Sequence, residues 1–148
     1  RQMCIETAYD LSPETFDTNL TVGVIVPYRN QISTVRSYID AYGIDALHDI
    51  TIDTVERYQG SQRDVIIYSF TAKKKYQLQF LTNNEYVDPR DNAVIDRKLN
   101  VAMTRARKHL ILTGYAPLLS IDATFGRLIR YARERDAYFD DEALQLRG

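Results

Sequence analysis

Two arginines are the residues of this chain best suited to bind an anion. Arg105 and Arg107 stand two positions apart in the segment Leu99-Asn-Val-Ala-Met-Thr-Arg-Ala-Arg107, which contains no acid. A guanidinium group stays charged, and its planar fork can hold two phosphate oxygens at once. The chain also has 20 Asp and Glu residues, so an internal ion pair is the alternative for either arginine. We favour the ion pair for Arg107.

Two further blocks upstream combine polar residues with short apolar runs. They are Val22-Gly-Val-Ile-Val-Pro-Tyr-Arg-Asn-Gln31 and Thr54-Val-Glu-Arg-Tyr-Gln-Gly-Ser-Gln-Arg-Asp-Val-Ile-Ile67. In order and approximate spacing, the three blocks resemble motifs IV, V and VI of superfamily 1 helicases. The resemblance is closest to the group of the nonsense-mediated-decay RNA helicases and the Dna2-type nuclease-helicases. It implies a RecA-like domain from an ATP-dependent helicase that acts on single-stranded DNA or RNA.

An ATP-driven motor needs a phosphate cradle, a magnesium carboxylate and a positive group that stabilises the transferring phosphoryl. The cradle pattern G-x-x-x-x-G-K-[ST] is absent from this sequence. We therefore expect ATP and Mg²⁺ to be held mainly by a preceding N-terminal RecA-like domain, and the isolated chain to be inactive. The resemblance implies that Arg105 is an arginine finger, catalytic through contact with the γ-phosphate of ATP. The competing hypothesis is a non-catalytic module that docks nucleic acid or protein.

The middle block supplies further candidates for the nucleotide. Gly60 follows Gln59, and a glycine lets the backbone approach a ligand closely. The resemblance implies ATP contacts for Gln59, Gly60 and Gln62. The family commonly has an acid at the position of Gln62, where it bonds the nucleotide ribose, and an amide there puts the strength of that contact in doubt. Asp64 is expected to organise the turn into Val65.

The first block supplies the candidates for nucleic acid. Pro27, Tyr28 and Arg29 lie where a strand ends and a helix begins. Amides at a helix start suit phosphate oxygens, an aromatic ring can stack on a base, and an arginine can neutralise a phosphate. The alternative is a simple helix start with exposed polar residues. Thr54 and Arg57 are weaker candidates for the same single-strand track.

Composition limits the class of protein. The net charge of −1 argues against a generic nucleic-acid-coating protein, so a local basic stripe over residues 97–109 would have to make any phosphate contacts. Cys4 is the only cysteine, and His48 and His109 stand alone, so no metal site is predicted. No apolar segment is long enough to span a bilayer. We expect a cytoplasmic protein, with residues 1–148 forming one domain excised from a longer chain, a core over about 20–135 and an acidic end over 136–148.

Apolar runs alternate with helical patterns and predict an α/β domain with a mostly parallel sheet flanked by helices. The predicted strands are Val22–Val26, Ile50–Val55, Val65–Phe70 and Leu110–Thr113. Helices are predicted after the first strand, ending before Gly43, then over Ile95–Arg107, and around Phe125–Ala132. Residues 76–94 lack clear periodicity and suggest a long excursion or hairpin.

Three expectations about placement follow from these elements. Ligands of parallel sheets gather beyond the carboxyl ends of the strands, so all three blocks should contain or adjoin that edge. Tyr38 and Tyr42 fall at core-like helical spacing. The predicted basic helix should bury one face made of Leu99, Ala102, Met103 and Ala106.

Overall fold

Four parallel strands form the central sheet, and most of their residues lie in the apolar runs that predicted strands. The computed structural model describes residues 13–58, 61–82, 85–90 and 94–140. The strands are β1 (Val22–Val26), β2 (Thr51–Thr54), β3 (Arg63–Ser69), β4 (Glu85–Val87), β5 (Val94–Asp96) and β6 (Ala106–Thr113). The large sheet has the order β2-β1-β3-β6 with parallel pairing throughout, and β4 and β5 form a separate antiparallel pair. The predicted α/β fold with a mostly parallel, RecA-like sheet is confirmed.

Helices cover both faces of this sheet. They are α1 (Asn30–Asp40), α2 (Asp45–His48), α3 (Lys75–Thr82), α4 (Arg97–Arg105), α5 (Ala116–Leu119) and α6 (Ala123–Glu134), and a 3₁₀ turn at Pro13–Thr15 precedes β1. All five residues of β1 are buried, because a strand covered on both faces cannot leave one side to water. Ile25 contributes to a core with residues of α3 to α6, whereas Val24 and Val26 pack with residues of α1 and α2.

Gly23 in the middle of β1 is required by a neighbouring side chain. A Cβ at this position would lie 1.7 Å from the hydroxyl oxygen of Tyr58 and 2.8 Å from its Cζ. Tyr58 is 1% exposed and belongs to the loop between β2 and β3. The glycine therefore lets that loop cross close to the sheet, which determines the path of the middle sequence block.

Helix α1 begins and ends near its predicted limits, but the predicted core positions of Tyr38 and Tyr42 are wrong. Gly43 follows the helix with a φ of +67°, a conformation that favours glycine. Ile39 is buried, whereas Tyr38 is 62% exposed and Tyr42 is 42% exposed. The spacing of Tyr38 and Tyr42 was compatible with a helix, but the face that packs on the sheet runs through Ile32, Val35 and Ile39.

The stretch that lacked periodicity contains one helix and one hairpin. The hairpin is confirmed, since β4 pairs with β5 from Glu85↔Asp96 to Val87↔Val94. The helix α3 was missed. Its apolar residues Tyr76, Leu78 and Phe80 alternate as they would in a strand, yet the helix buries Leu78 together with Leu81, three positions on.

The basic block contains a shorter helix than predicted. Ile95 belongs to β5, and Asp96 caps α4 by accepting a hydrogen bond from the Leu99 amide at 2.8 Å. The helix ends at Arg105, and β6 begins at Ala106, which pairs with Arg63. The expected helical positions of Ala106 and Arg107 are wrong, because the ladder to β3 takes over the backbone hydrogen bonds. Leu99 and Ala102 are buried as predicted, but Met103 is exposed.

Candidate nucleotide and nucleic-acid sites

The candidate residues lie at two opposite edges of the parallel sheet. Val26 and Thr54 pair with each other at the carboxyl ends of β1 and β2, whereas Arg63 and Ala106 pair at the amino ends of β3 and β6. We call these the carboxyl edge and the amino edge. The six residue steps of β3 from Arg63 to Ser69 separate the edges by roughly 20 Å at about 3.3 Å per residue.

The expectation that all three blocks adjoin the carboxyl edge is wrong for the last block. Arg105 ends a helix that comes before β6, so it lies at the amino edge. The middle block begins at the carboxyl edge with Thr54 and reaches the amino edge at Gln62, because the loop must cross back to start a parallel strand. In the first block, the candidates Pro27, Tyr28 and Arg29 directly follow the carboxyl end of β1.

Arg105 has no carboxylate partner among the residues that the structure describes. Its Nε donates to the carbonyl oxygen of Val101 at 3.4 Å, and one terminal nitrogen donates to the hydroxyl of Thr104 at 3.4 Å. Both partners are neutral and belong to the same helix. Because the side chain is partly buried, its guanidinium is restricted to a limited range of positions. No acid of the described residues offsets its charge.

The neighbouring cations share one acidic partner. Lys108 Nζ lies 2.8 Å from one carboxylate oxygen of Asp64, and Arg107 Nε lies 3.8 Å from the other. The ion pair favoured for Arg107 is therefore present. Asp64 lies within β3 and its carboxylate contacts two side chains of β6, which is a structural part other than the expected organisation of a turn into Val65. A single carboxylate near the start of β3 contacts two of the three Arg and Lys side chains in residues 105–108.

Gln62 lies beside the end of α4. Its side-chain amide donates to the carbonyl oxygen of Thr104 at 3.2 Å, so two residues distant in sequence, Gln62 and Arg105, adjoin at the amino edge. Gln59 and Gly60, the other nucleotide candidates of the middle block, lie outside the described residues.

A cleft of about 620 Å³ opens at the carboxyl edge. Its lining includes every residue predicted to contact nucleic acid, namely Pro27, Tyr28, Arg29, Thr54 and Arg57. It also includes three residues that the sequence analysis did not select: Glu56, Phe80 and Lys98. The fold thus gathers the first block, the start of the middle block and two further helices around one opening.

Tyr28 joins the loop after β1 to helix α3. Its hydroxyl donates to the carbonyl oxygen of Gln77 at 3.0 Å, and its ring lies 5.3 Å from that of Phe80, centroid to centroid. Partial burial, with a smaller contribution from nearby Tyr76, raises the pKa of Tyr28. The hydroxyl therefore keeps its proton and can act as the donor in this bond.

The predicted nucleic-acid contacts differ in their exposure and in the partners of their polar groups. The side chain of Arg29 is exposed and has no hydrogen bond or ion pair within the described ranges. Arg57 is also exposed and lies 3.8 Å from Asp53, a separation typical of a weak surface pair. Thr54 is only 5% exposed, and its carbonyl oxygen accepts hydrogen bonds from the amides of Arg57 and Tyr58. Of these residues, Arg29 is the most available to a phosphate.

Lys98 and Glu56 form an ion pair on one side of the cleft. Lys98 Nζ lies 3.1 Å from the carboxylate of Glu56 and 4.9 Å from the ring centroid of Phe80. Partial burial acts to raise the pKa of Glu56, but hydrogen bonds from its own amide and from Lys98 outweigh it and lower the pKa below its usual value. Glu56 is therefore ionised at neutral pH, and it offsets the charge of Lys98.

The three unselected residues differ in whether the sequence contained a signal that could have identified them. Lys98 lay within the basic stripe over residues 97–109, and Glu56 lay within the middle block, so both carried a charge signal. Phe80 lay in the stretch without periodicity, and no local pattern could have selected it. Its place in the cleft depends on how α3 packs against Tyr28.

The described ranges contain neither a metal-ligand cluster nor a membrane-spanning helix. No three side chains of His, Cys, Asp or Glu converge there as a metal site would require. None of the helices in those ranges is both long and apolar enough to cross a membrane.

Residues 2–117 match the family described as AAA domain. Helicase sen1 of Schizosaccharomyces pombe is 36% identical over 123 residues, which cover 80% of this chain and 7% of that protein. Regulator of nonsense transcripts 1 of Dictyostelium discoideum is 31% identical over 130 residues, covering 85% of this chain and 9% of the relative. The DNA replication ATP-dependent helicase/nuclease DNA2 of Xenopus tropicalis is 30% identical over 120 residues, covering 80% and 10%. The chain thus spans about a tenth of the length of these curated relatives.

Proposed function

This chain belongs to the AAA domain family as a C-terminal RecA-like domain of superfamily 1 helicases, in the nonsense-mediated-decay and Dna2-type group, and we propose that it completes the ATPase site of a helicase motor. In this proposal Arg105 is the arginine finger at the amino edge. The cleft at the carboxyl edge is part of the track for single-stranded DNA or RNA. The N-terminal RecA-like domain of the same longer protein is the partner at the amino edge.

The observation that carries the proposal is the contrast between Arg105 and its basic neighbours. Asp64 lies 2.8 Å from Lys108 and 3.8 Å from Arg107, whereas among the described residues the side chain of Arg105 bonds only to neutral oxygens of Val101 and Thr104. A structural arginine that is partly buried is normally paired, because an uncompensated charge is costly to desolvate. An arginine without a partner at a domain edge is suited to an external anion.

The groups at the amino edge fit a triphosphate. ATP, when bound with Mg²⁺ by the N-terminal domain, supplies the γ-phosphoryl group that is transferred to water. The guanidinium of Arg105 stabilises the negative charge that spreads over the phosphoryl oxygens, as arginine fingers do. Gln62 supports the end of α4 through the Thr104 carbonyl, which keeps Arg105 in place. Gln59 and Gly60, which lie outside the described residues, are the remaining proposed nucleotide contacts.

The carboxyl edge fits a single strand. Arg29 and Arg57 provide two exposed guanidinium groups for phosphates, and Pro27, Tyr28 and Thr54 line the same cleft. Helix α4 connects this cleft to the amino edge, because Lys98 lies in its first turn and Arg105 is its last residue. At about 1.5 Å per residue they are about 10 Å apart along the helix. A shift of α4 on closure of the two domains would therefore move both sites together.

The test compares Arg105→Ala with Arg107→Ala in the full-length protein. The two residues share one segment, and of the two only Arg107 has an acidic partner in the part of the chain that the structure describes. We expect Arg105→Ala to lower kcat for ATP by about 10³- to 10⁵-fold, the usual effect of losing an arginine finger. Arg107→Ala should leave kcat within a few-fold of wild type, and both variants should bind single strands normally.

Near-normal turnover by Arg105→Ala would contradict the proposal. If instead the wild-type full-length protein bound single strands but did not hydrolyse ATP, the alternative of a non-catalytic docking module would replace the proposal. Circular dichroism and thermal unfolding should accompany the kinetics, so that a folding defect is not mistaken for a catalytic one.

A further inference from the structure

Phe80 is an exposed aromatic residue held at the mouth of the carboxyl-edge cleft. It is 55% exposed although its ring contacts both Tyr28 and Lys98. We propose that Phe80 is a stacking platform for an unpaired nucleobase, and that the Lys98–Glu56 pair directs a base rather than a phosphate onto it. This inference rests on the proposed single-strand track and names one of its subsites.

The platform is ordered before any ligand arrives. Leu78 and Leu81 on the same helix are buried in the core, which fixes α3 on the domain. The hydroxyl of Tyr28 bonds to the carbonyl oxygen of Gln77, and its ring supports that of Phe80. Because these contacts already restrict the ring, stacking a base would cost little additional side-chain entropy.

The charges around the ring favour a base over a phosphate. The carboxylate of Glu56 lies 3.1 Å from Lys98 Nζ, so this cation is already compensated and the acid repels phosphate from that side. Arg29 and Arg57 line the same cleft without such close acidic partners, and they are the better phosphate contacts. A strand whose phosphates lie on these arginines would present its bases toward the aromatic side.

The occupant is a single strand with unpaired bases and no required sequence. Every base has a π-face, so an aromatic platform tolerates all four bases. A base in a duplex is already stacked on both sides and would have to be extruded to reach Phe80. The subsite should therefore distinguish single strands from duplexes without reading their sequence.

The experiment measures the affinity of the full-length protein for a short oligothymidylate and for an abasic oligomer of the same length. The variants are Phe80→Ala, Phe80→Leu and Phe80→Trp. The matched control is Tyr38→Ala, which removes an aromatic ring that is 62% exposed on α1 and does not line the cleft. Phe80→Leu retains apolar packing against Tyr28 but has no π-face, so it separates stacking from folding.

We expect Phe80→Ala and Phe80→Leu to weaken binding of oligothymidylate by about 5- to 150-fold, the usual effect of losing one base–aromatic stack. Phe80→Trp should bind at least as tightly as wild type, and Tyr38→Ala should be unchanged. The salt slope should not change, because no phosphate contact is lost. On the abasic oligomer, all four variants should match wild type.

Wild-type affinity of Phe80→Leu for oligothymidylate, or an equal loss on the abasic oligomer, would overturn this inference while leaving the single-strand track intact. If the wild-type protein binds neither oligomer, the proposed track itself fails, and the stacking subsite fails with it.

Discussion

The amino edge and the carboxyl edge of the sheet present positive charge in different ways. At the amino edge, Asp64 pairs with Arg107 and Lys108, whereas Arg105, at the end of α4, contacts no acid among the described residues. At the carboxyl edge, several charged groups and two aromatic rings share a wide cleft. A reaction that develops charge on one phosphoryl group needs a single cation in a defined position. A strand that must be held and then released is better served by several contacts, none of which is strong alone.

The largest effect is expected at the amino edge, where one group carries the function. Arg105→Lys keeps the charge but loses the planar fork, so it should recover little of the 10³- to 10⁵-fold loss in kcat expected, in order of magnitude, for alanine. Arg107→Lys is the matched control, because a lysine can keep an ion pair with Asp64. Steady-state ATPase assays measure kcat for these variants. Full activity of Arg105→Lys would show that charge alone is sufficient there.

A smaller effect is expected at the carboxyl edge, where contacts are shared. Arg29→Ala should remove one phosphate contact and reduce the salt slope for single strands by about 0.7. ATPase activity without nucleic acid should remain, while its stimulation by nucleic acid should fall. Arg127→Ala on α6 removes an exposed cation outside the cleft and is the control. Titrations at several salt concentrations test this, and an unchanged slope would return Arg29 to a structural role at the helix start.

The substitution Gln62→Glu distinguishes two roles of this side chain, a contact to the nucleotide ribose and a hydrogen bond that supports the end of α4. If Gln62 faced the ribose, a carboxylate would strengthen that contact and lower the KM for ATP. The structure shows the amide donating to the Thr104 carbonyl, and a carboxylate cannot make that donation. We therefore expect kcat to fall by roughly five-fold, equivalent to about 1 kcal/mol for one lost hydrogen bond, with KM little changed. A lower KM with unchanged kcat would restore the ribose contact.

The smallest effect concerns the Lys98–Glu56 pair. The pKa of folded Glu56 lies below the usual 4.5, so its ionised form stabilises the fold above that pH, and the contribution is lost as the pH falls through the folded pKa. Glu56→Gln should therefore make the free energy of unfolding less sensitive to acid. The difference should stay below about 1 kcal/mol, because Glu56 is mostly exposed. Urea unfolding near neutral pH and below pH 4.5 measures it, with Glu14→Gln as control. If the free energy of unfolding fell equally with pH in Glu56→Gln and Glu14→Gln, the Lys98–Glu56 pair would not be stabilising.

Much of the fold could be predicted because a buried strand or helix face leaves a local pattern of apolar residues in the sequence. A strand covered on both faces must be apolar throughout, so Val22–Val26 was assigned correctly, as was the parallel sheet. The boundary at Arg105 could not be predicted locally. Residues 106–109 have no strand pattern, since β6 is an edge strand and leaves Arg107, Lys108 and His109 exposed. Their conformation depends on pairing with β3.

The sequence by itself determined which residues could meet phosphate, because a guanidinium has the same chemistry in any fold, and the three ordered blocks were sufficient to indicate the helicase family. Only the tertiary structure decided how those residues divide between two edges. The direction of a parallel strand sets the edge at which its flanking residues lie, and Arg105 precedes its strand whereas Arg29 follows one. Tertiary packing also brought Phe80 to the cleft, since residues distant in sequence meet only where helices cover the same face of the sheet.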